Sequence, residues 1–211
     1  GITLMVITTF MFSSMDGVSR YLAENNNIFT LVTMRYWFIA FVMIVTCLFI
    51  KNRVSDILNT KQPYIQFSRG VILSLNNCLV VYTFTLLGLV ETHAIIACYP
   101  LIVAGLSVPF LRERFGWRRW MAIFTGFIGV IIILRPNTNV ITEGSIYAII
   151  GALMFAVYLI LTRYVSRSDT AITSFFWTGI GGTITMSLIS LFIWDDILKE
   201  DYLWLLIMCV L

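Results

Sequence analysis

The chain has 211 residues, 59% of them hydrophobic and 12% charged, with a formal net charge of +3. A water-soluble domain carries about twice that charged fraction. The balance therefore argues against a soluble enzyme or nucleic-acid-binding domain and for a bilayer-embedded chain rich in aromatic rings. Cys47, Cys78, Cys98 and Cys209 form no C-x-x-C pair and lie in apolar runs, where they read as small fillers between helices.

A membrane-crossing helix needs about 20 largely apolar residues. Seven such runs follow one another over 1–21, 28–50, 70–88, 92–111, 117–134, 144–163 and 171–194, and an eighth begins at 202. The runs do not alternate apolar with polar residues, which argues against a transmembrane barrel. Both ends fall inside apolar runs and read as cut. The fold class expected is an all-α membrane protein, a multi-span helical bundle.

Polar residues inside these runs are costly in lipid, so they face a cavity or a partner. Asp16 in span 1 and Arg35 in span 2 ("LVTMRYWFIAF", 31–41) lie at depths that differ by roughly 3 Å at the rise of an α-helix. Spans 1 and 2 form a hairpin, so the two charges can meet. They serve either as a buried ion pair that joins helices or as the polar floor of a substrate cavity. As a cavity floor they would clamp a zwitterionic, amino-acid-like metabolite. Asn76 and Asn77 sit deep in span 3 and suit interhelical hydrogen bonds or substrate contact. His93, beside Glu91, reads as a structural histidine, with pH sensing as the other reading. In span 4, Pro100 frees a backbone carbonyl and can kink the helix, which makes it a candidate gating residue with Tyr99 beside the kink. Pro109 lies further along the same span. Tyr158 in span 6 and Trp177 in span 7 can line the same cavity or serve as packing aromatics. "GFIG" (126–129) and "GIGG" (179–182) suit close helix packing. The sequence has no G-x-S-x-G, H-E-x-x-H, P-loop or metal-spaced Cys/His cluster. No cofactor or metal is expected, and the chain is not expected to be an enzyme.

Orientation follows the lysines and arginines. Lys51, Arg53, Lys61 and Arg69 in the 2–3 loop, Arg112, Arg114, Arg118 and Arg119 in the 4–5 loop, and Arg163 and Arg167 after span 6 make ten on one side. Arg20, Arg135 and Lys199 make three on the other. The basic side is cytoplasmic, as is the N-terminus, and these clusters set topology and do not bind nucleic acid. Sliding the sequence by 143 residues aligns Gly1 with Gly144, Ile7 with Ile150, Met11–Phe12 with Met154–Phe155, Arg20–Tyr21 with Arg163–Tyr164 and Thr30 with Thr173. The offset carries span 1 onto span 6 across an odd number of crossings, so two related units would insert in opposite orientations, as in many secondary transporters.

The stretch 87–136 resembles the EamA domain of the drug/metabolite transporter superfamily. Pro100, Glu113, "GWRRW" and the "GFIGV…RP" of span 5 carry the likeness. "MRYW" (34–37) and "EGSIYAIIGALMFAVYLILTRYVSRSD" resemble the second span and the second EamA unit of that family. The resemblance implies inverted five-helix repeats, ten spans in the full protein, with residues 1–136 as the first unit and 143–211 as part of the second. It implies a secondary transporter in the cell (inner or plasma) membrane, moving a small polar or amphipathic metabolite by alternating access. Its partners would be that substrate and bilayer lipid, with a homodimer as one way for a partial second unit to rebuild the cavity. The alternatives are an intramembrane enzyme, for which neither paired carboxylates nor an activated serine is present, and a non-transporting scaffold or channel.

Overall fold

A computed structural model of the chain describes residues 2–49, 59–111, 116–134 and 142–211. Lys51, Arg53, Arg112, Glu113, Arg114, Arg135 and Pro136 lie outside the described residues, as does the junction expected between the two units. Nine α-helices are described: α1 (Ile2–Ala23), α2 (Ile28–Phe49), α3 (Pro63–Leu87), α4 (Leu89–Ile96), α5 (Tyr99–Leu111), α6 (Trp117–Leu134), α7 (Glu143–Val165), α8 (Ala171–Ser190) and α9 (Tyr202–Val210). A short 3₁₀ turn, Lys199–Asp201, precedes α9. In an apolar medium a backbone N–H or C=O can bond only within its own segment, and the helix is the answer for a single span. Among the described residues, six stretches are long and apolar enough to cross a membrane: α1, α2, α3, Leu89–Ser107 of α4 and α5, α7 and α8. The chain is a multi-span all-α membrane protein.

Helix starts are written in the sequence. Pro63 opens α3, where its missing N–H costs nothing. The side chains of Thr142 and Thr170 cap α7 and α8. Two starts depart from expectation. Span 3 begins at Pro63, seven residues before the apolar run, so Gln66 and Arg69 are buried in a helix and are not loop residues. Span 4 is broken: Cys98 donates its N–H to Ile95 O at 3.0 Å, and α5 starts afresh at Tyr99. Pro100 explains the break, because it has no N–H to offer Ile96 one turn earlier. The interruption falls at the place where a proline-induced kink is expected.

One residue joins α3 to α4. Gly88 has φ +89° and ψ 168°, a backbone region that only glycine occupies without strain. The antiparallel hairpin it makes is tied by Thr92 Oγ1, which donates across to Thr83 O of α3 at 3.3 Å.

α3 is the spine, lying against α7 on one side and α8 on the other; α8 also lies on α2, while α4 and α5 cover α7. α9 packs against α1 and α2. The α8 contacts depend on glycine. A Cβ at Gly70 of α3 would stand 2.6 Å from Thr178 O and 2.8 Å from Gly181 Cα. One at Gly182 would overlap the Tyr36 ring of α2. The "GIGG" surface therefore brings the α3 and α8 backbones together and admits the Tyr36 side chain of α2, as small-residue faces do in membranes where apolar burial no longer drives association. Outward faces are apolar, with Phe10 and Leu203 among the exposed side chains, as a lipid-facing surface requires.

Candidate functional site

The antiparallel α3–α7 seam carries the polar and aromatic groups, which can be followed from one end to the other. Tyr82 of α3 meets Tyr147 of α7 edge-on at 5.6 Å. Farther along, Asn76 is 4% exposed and its Oδ1 has no hydrogen-bond partner. That oxygen lies 3.6 Å from where a Cβ at Gly151 of α7 would be. An unmet buried acceptor costs about 1–3 kcal/mol, so the position is suited to a donor that arrives with a ligand. Next to it, Asn77 turns the other way and donates Nδ2 to the Tyr36 hydroxyl on α2 at 3.1 Å.

Below this pair the rings form a ladder. Tyr99, at the first position of α5 after the Pro100 break, meets Phe155 of α7 edge-on at 5.0 Å. Phe155 stacks on Tyr158 one turn along at 6.0 Å. The Arg69 guanidinium sits over the Tyr158 ring, 5.2 Å from its centre. Arg69 is 2% exposed, donates Nε to Thr162 Oγ1 at 3.1 Å, and bonds Gln66 Oε1. No carboxylate lies within 4.0 Å of it among the described residues. A buried cation held by neutral acceptors and a π face keeps its field available to the ring surfaces beside it. Such a surface accepts a flat conjugated group, and the guanidinium favours an electron-rich or anionic edge.

The structure does not bring Asp16 and Arg35 together. Asp16 Oδ2 lies 3.3 Å from Nε2 of His93 on α4, with Arg20 of α1 and Glu24 of the turn after it as an ion pair at 3.7 Å one turn on. Arg35 is half-buried and has no carboxylate partner among the described residues; its charge is within electrostatic range of Tyr36 and of Cys209 on α9. The ion pair expected from equal depth fails because depth fixes position along a helix axis and not the direction a side chain takes around it. The zwitterion clamp loses its geometry with it. Of the other expected residues, Asn76, Asn77, Tyr99 and Tyr158 gather on or beside the α3–α7 seam, whereas Trp177 lies half-buried on α8. Arg69, Phe155 and Gln66 were missed as site residues. The signal for Arg69 was its place in "QPYIQFSRG": Pro63 starts a helix early enough to draw the arginine inward.

Outside the bundle core, at the α7–α8 turn, burial pushes the Asp169 carboxyl up, but hydrogen bonds from Thr60, Gln66, the Lys61 N–H and Ser168 outweigh it and hold the group below the usual carboxylate range. No group of three or more metal-ligating side chains occurs among the described residues.

Over 180 residues the chain is 25% identical to a protein named S-adenosylmethionine uptake transporter from Rickettsia felis (strain ATCC VR-1525 / URRWXCal2), covering 85% of this chain and 60% of the relative. It is 23% identical over 177 residues to a riboflavin transporter of Rhizobium johnstonii (strain DSM 114642 / LMG 32736 / 3841), covering 84% and 58%. A riboflavin transporter of Vibrio cholerae serotype O1 (strain ATCC 39315 / El Tor Inaba N16961) is 34% identical over 80 residues, 38% of this chain and 27% of the relative. The chain thus spans about 60% of the length of the S-adenosylmethionine relative it matches. No solved structure matches the chain. Residues 1–135, which hold the Gly88 hairpin, the Pro100 break and both asparagines of α3, match the EamA-like transporter family, and the chain belongs to that family.

Proposed function

We propose that the protein is a secondary transporter, not an enzyme, and that it moves a small metabolite with a flat nitrogen heterocycle across the membrane by alternating access. The observation that carries the reading is the ladder Tyr99–Phe155–Tyr158 capped by Arg69, set beside a broken span. Interrupted spans at the junction of two halves are where secondary transporters hold substrate. The compounds in the relatives' names, S-adenosylmethionine and riboflavin, are chemically different but share one feature: a fused nitrogen heterocycle joined to a hydroxylated chain or sugar. Stacking on aromatic side chains is worth about 1–3 kcal/mol per ring, enough to select such a group. Asn76 Oδ1 would take an N–H of the heterocycle, and Pro100 would let α4 and α5 move separately.

The units 1–136 and 143–211 are proposed as inverted repeats. Their support is the packing of α3 on α7 and α8, matched by the packing of α9 on α1 and α2: the third helix of each unit lies on the first two of the other. With Arg69 removed from the ten basic residues of one side, nine remain against three, which still favours a cytoplasmic N-terminus.

The test uses the full-length protein in sealed vesicles, with uptake of labelled S-adenosylmethionine and riboflavin and competition by amino acids and by simple fused heterocycles. Competition by heterocycles and not by amino acids is expected. Tyr158→Ala should weaken apparent affinity about tenfold or more, and Tyr158→Phe should retain it. Competition by amino acids alone, or equal uptake by both variants, would overturn the substrate class. Absence of saturable uptake for every compound would overturn transport.

A further inference from the structure

The turns that join α1 to α2 and α7 to α8 lie at opposite ends of the bundle. They are also related by the 143-residue offset, which places Asn26 on Asp169 and Asn27 on Thr170. Neither pair is an identity, yet the members of each do the same work. Asn27 Oδ1 accepts from Phe29 N at 2.9 Å at the start of α2, and Thr170 Oγ1 accepts from Thr173 N at 3.2 Å at the start of α8. Both are helix N-caps.

The other pair reaches outward. Asn26 donates Nδ2 to Asp201 Oδ2 at 2.7 Å and accepts Leu198 N on Oδ1 at 3.1 Å, at the entrance to α9. Asp169 Oδ2 accepts Gln66 Nε2 at 2.9 Å in the first turn of α3 and also the Thr60 hydroxyl, and its Oδ1 accepts Lys61 N at 3.4 Å. Each turn therefore ties the first two helices of its own half to the start of the third helix of the other half. Both ties join an amide to a carboxylate, with the roles exchanged: amide on the turn at one end, carboxylate on the turn at the other.

We propose that Asn26–Asp201 and Asp169–Gln66 are the two gate latches of the transport cycle, one at each membrane face, and that one opens while the other holds. The proposal rests on the transporter reading above. A carboxylate–amide hydrogen bond is stronger than a neutral one, yet it lacks the full opposite charge that would make separation costly in a partly dry site. It suits a contact that must hold and release in each cycle. Both latches are closed in this structure. The Asp169 latch also has a route to the ring ladder, because Gln66, which bonds Asp169, bonds Arg69 as well, and Arg69 lies over Tyr158. A flat ligand that displaces the guanidinium from the Tyr158 face would pull on Gln66 and loosen the latch at that end.

The experiment uses the full-length protein with its native cysteines replaced and a single reporter, Tyr158→Cys, labelled by an impermeant maleimide from either face of sealed vesicles. Asn26→Ala with Asp201→Ala should raise labelling about tenfold from the face that carries the α1–α2 turn and lower it from the other, as loss of one charge-assisted hydrogen bond implies. Asp169→Ala with Gln66→Ala should do the reverse. The exchanges Asn26→Asp with Asp201→Asn, and Asp169→Asn with Gln66→Glu, rebuild the amide–carboxylate tie and should restore the parent ratio, which separates a lost latch from a damaged fold. Labelling that is unchanged in both double-alanine variants, that shifts toward the same face in both, or that the exchanges fail to restore would overturn the proposal. Labelling does not depend on uptake, so a protein that gates correctly and carries none of the tested compounds would count against the substrate reading and not against the latches.

Discussion

Gly70→Ala offers a direct measure of how tightly α3 and α8 are bound. The added Cβ would stand 2.6 Å from Thr178 O, 2.8 Å from Gly181 Cα and 2.9 Å from Gly182 N, all of them backbone atoms. No rotamer change relieves a backbone clash. To reach an ordinary contact of about 3.4 Å the helices must part by roughly 0.8 Å, an overpacking strain of about 1–3 kcal/mol. The same displacement acts on Gln66, one turn before Gly70, whose Nε2 donates to Ser174 of α8 at 3.1 Å. Lengthened to about 3.9 Å, that contact is no longer a hydrogen bond. Gly17→Ala is the matched control, since a Cβ there meets nothing within 4 Å and gains helix propensity of about 1 kcal/mol. Thermal unfolding of detergent-solubilised protein should show Gly70→Ala lowered by about 2–12 °C relative to the parent, at about 2–4 °C per kcal/mol for a chain of this size. Gly17→Ala should be equal to the parent or higher. A Gly70→Ala protein as stable as Gly17→Ala would refute the close backbone approach of α3 and α8.

Gly88→Ala should cost about 1–3 kcal/mol from backbone strain at φ +89°, and adding Glu91→Ala should not recover it, since the nearest atom a Cβ there meets is the flexible Glu91 carboxylate at 3.2 Å, with the Arg20 guanidinium in ordinary contact at 3.8 Å; recovery in the same unfolding assay would assign the cost to contact instead. In a double-mutant cycle, Asp16→Ala and His93→Ala should couple by about 0.5–1 kcal/mol, whereas Asp16→Ala and Arg35→Ala should add independently; coupling in the second cycle would reinstate the pair expected from depth. Asp169 is held below the usual carboxylate range, so its contribution is fully present above the ordinary aspartate pKa and is lost as pH falls through the lowered value. Stability should therefore be flat in this respect from neutral pH down to the ordinary aspartate range. The acid-side loss should be smaller in Asp169→Asn, measured as the difference in unfolding midpoint between parent and variant across an acid series.

The spans were legible from the sequence because lipid imposes one rule on every residue within it: backbone groups must bond inside their own segment, so length and apolarity alone mark the helices. The broken fourth span was legible for the same local reason, since Pro100 removes its N–H wherever it sits. The family was legible because its marks, from Pro100 through "GWRRW" to the end of span 5, are contiguous. The partners of Asp16, Arg35 and Arg69 were not legible. Depth along an axis can be counted in residues, but which neighbour a side chain meets depends on the rotation of each helix, and that is set by contacts far away in sequence. The three α8 glycines that admit Tyr36, Met43 and α3 are one such contact. Asp16 thus meets His93, 77 positions along the chain, and the loop cation Arg69 becomes a buried one over Tyr158. The sequence by itself determined which segments form apolar helices and where one breaks; only the tertiary structure decided which polar groups face each other, because helix azimuth is a property of the packed assembly and not of any one span.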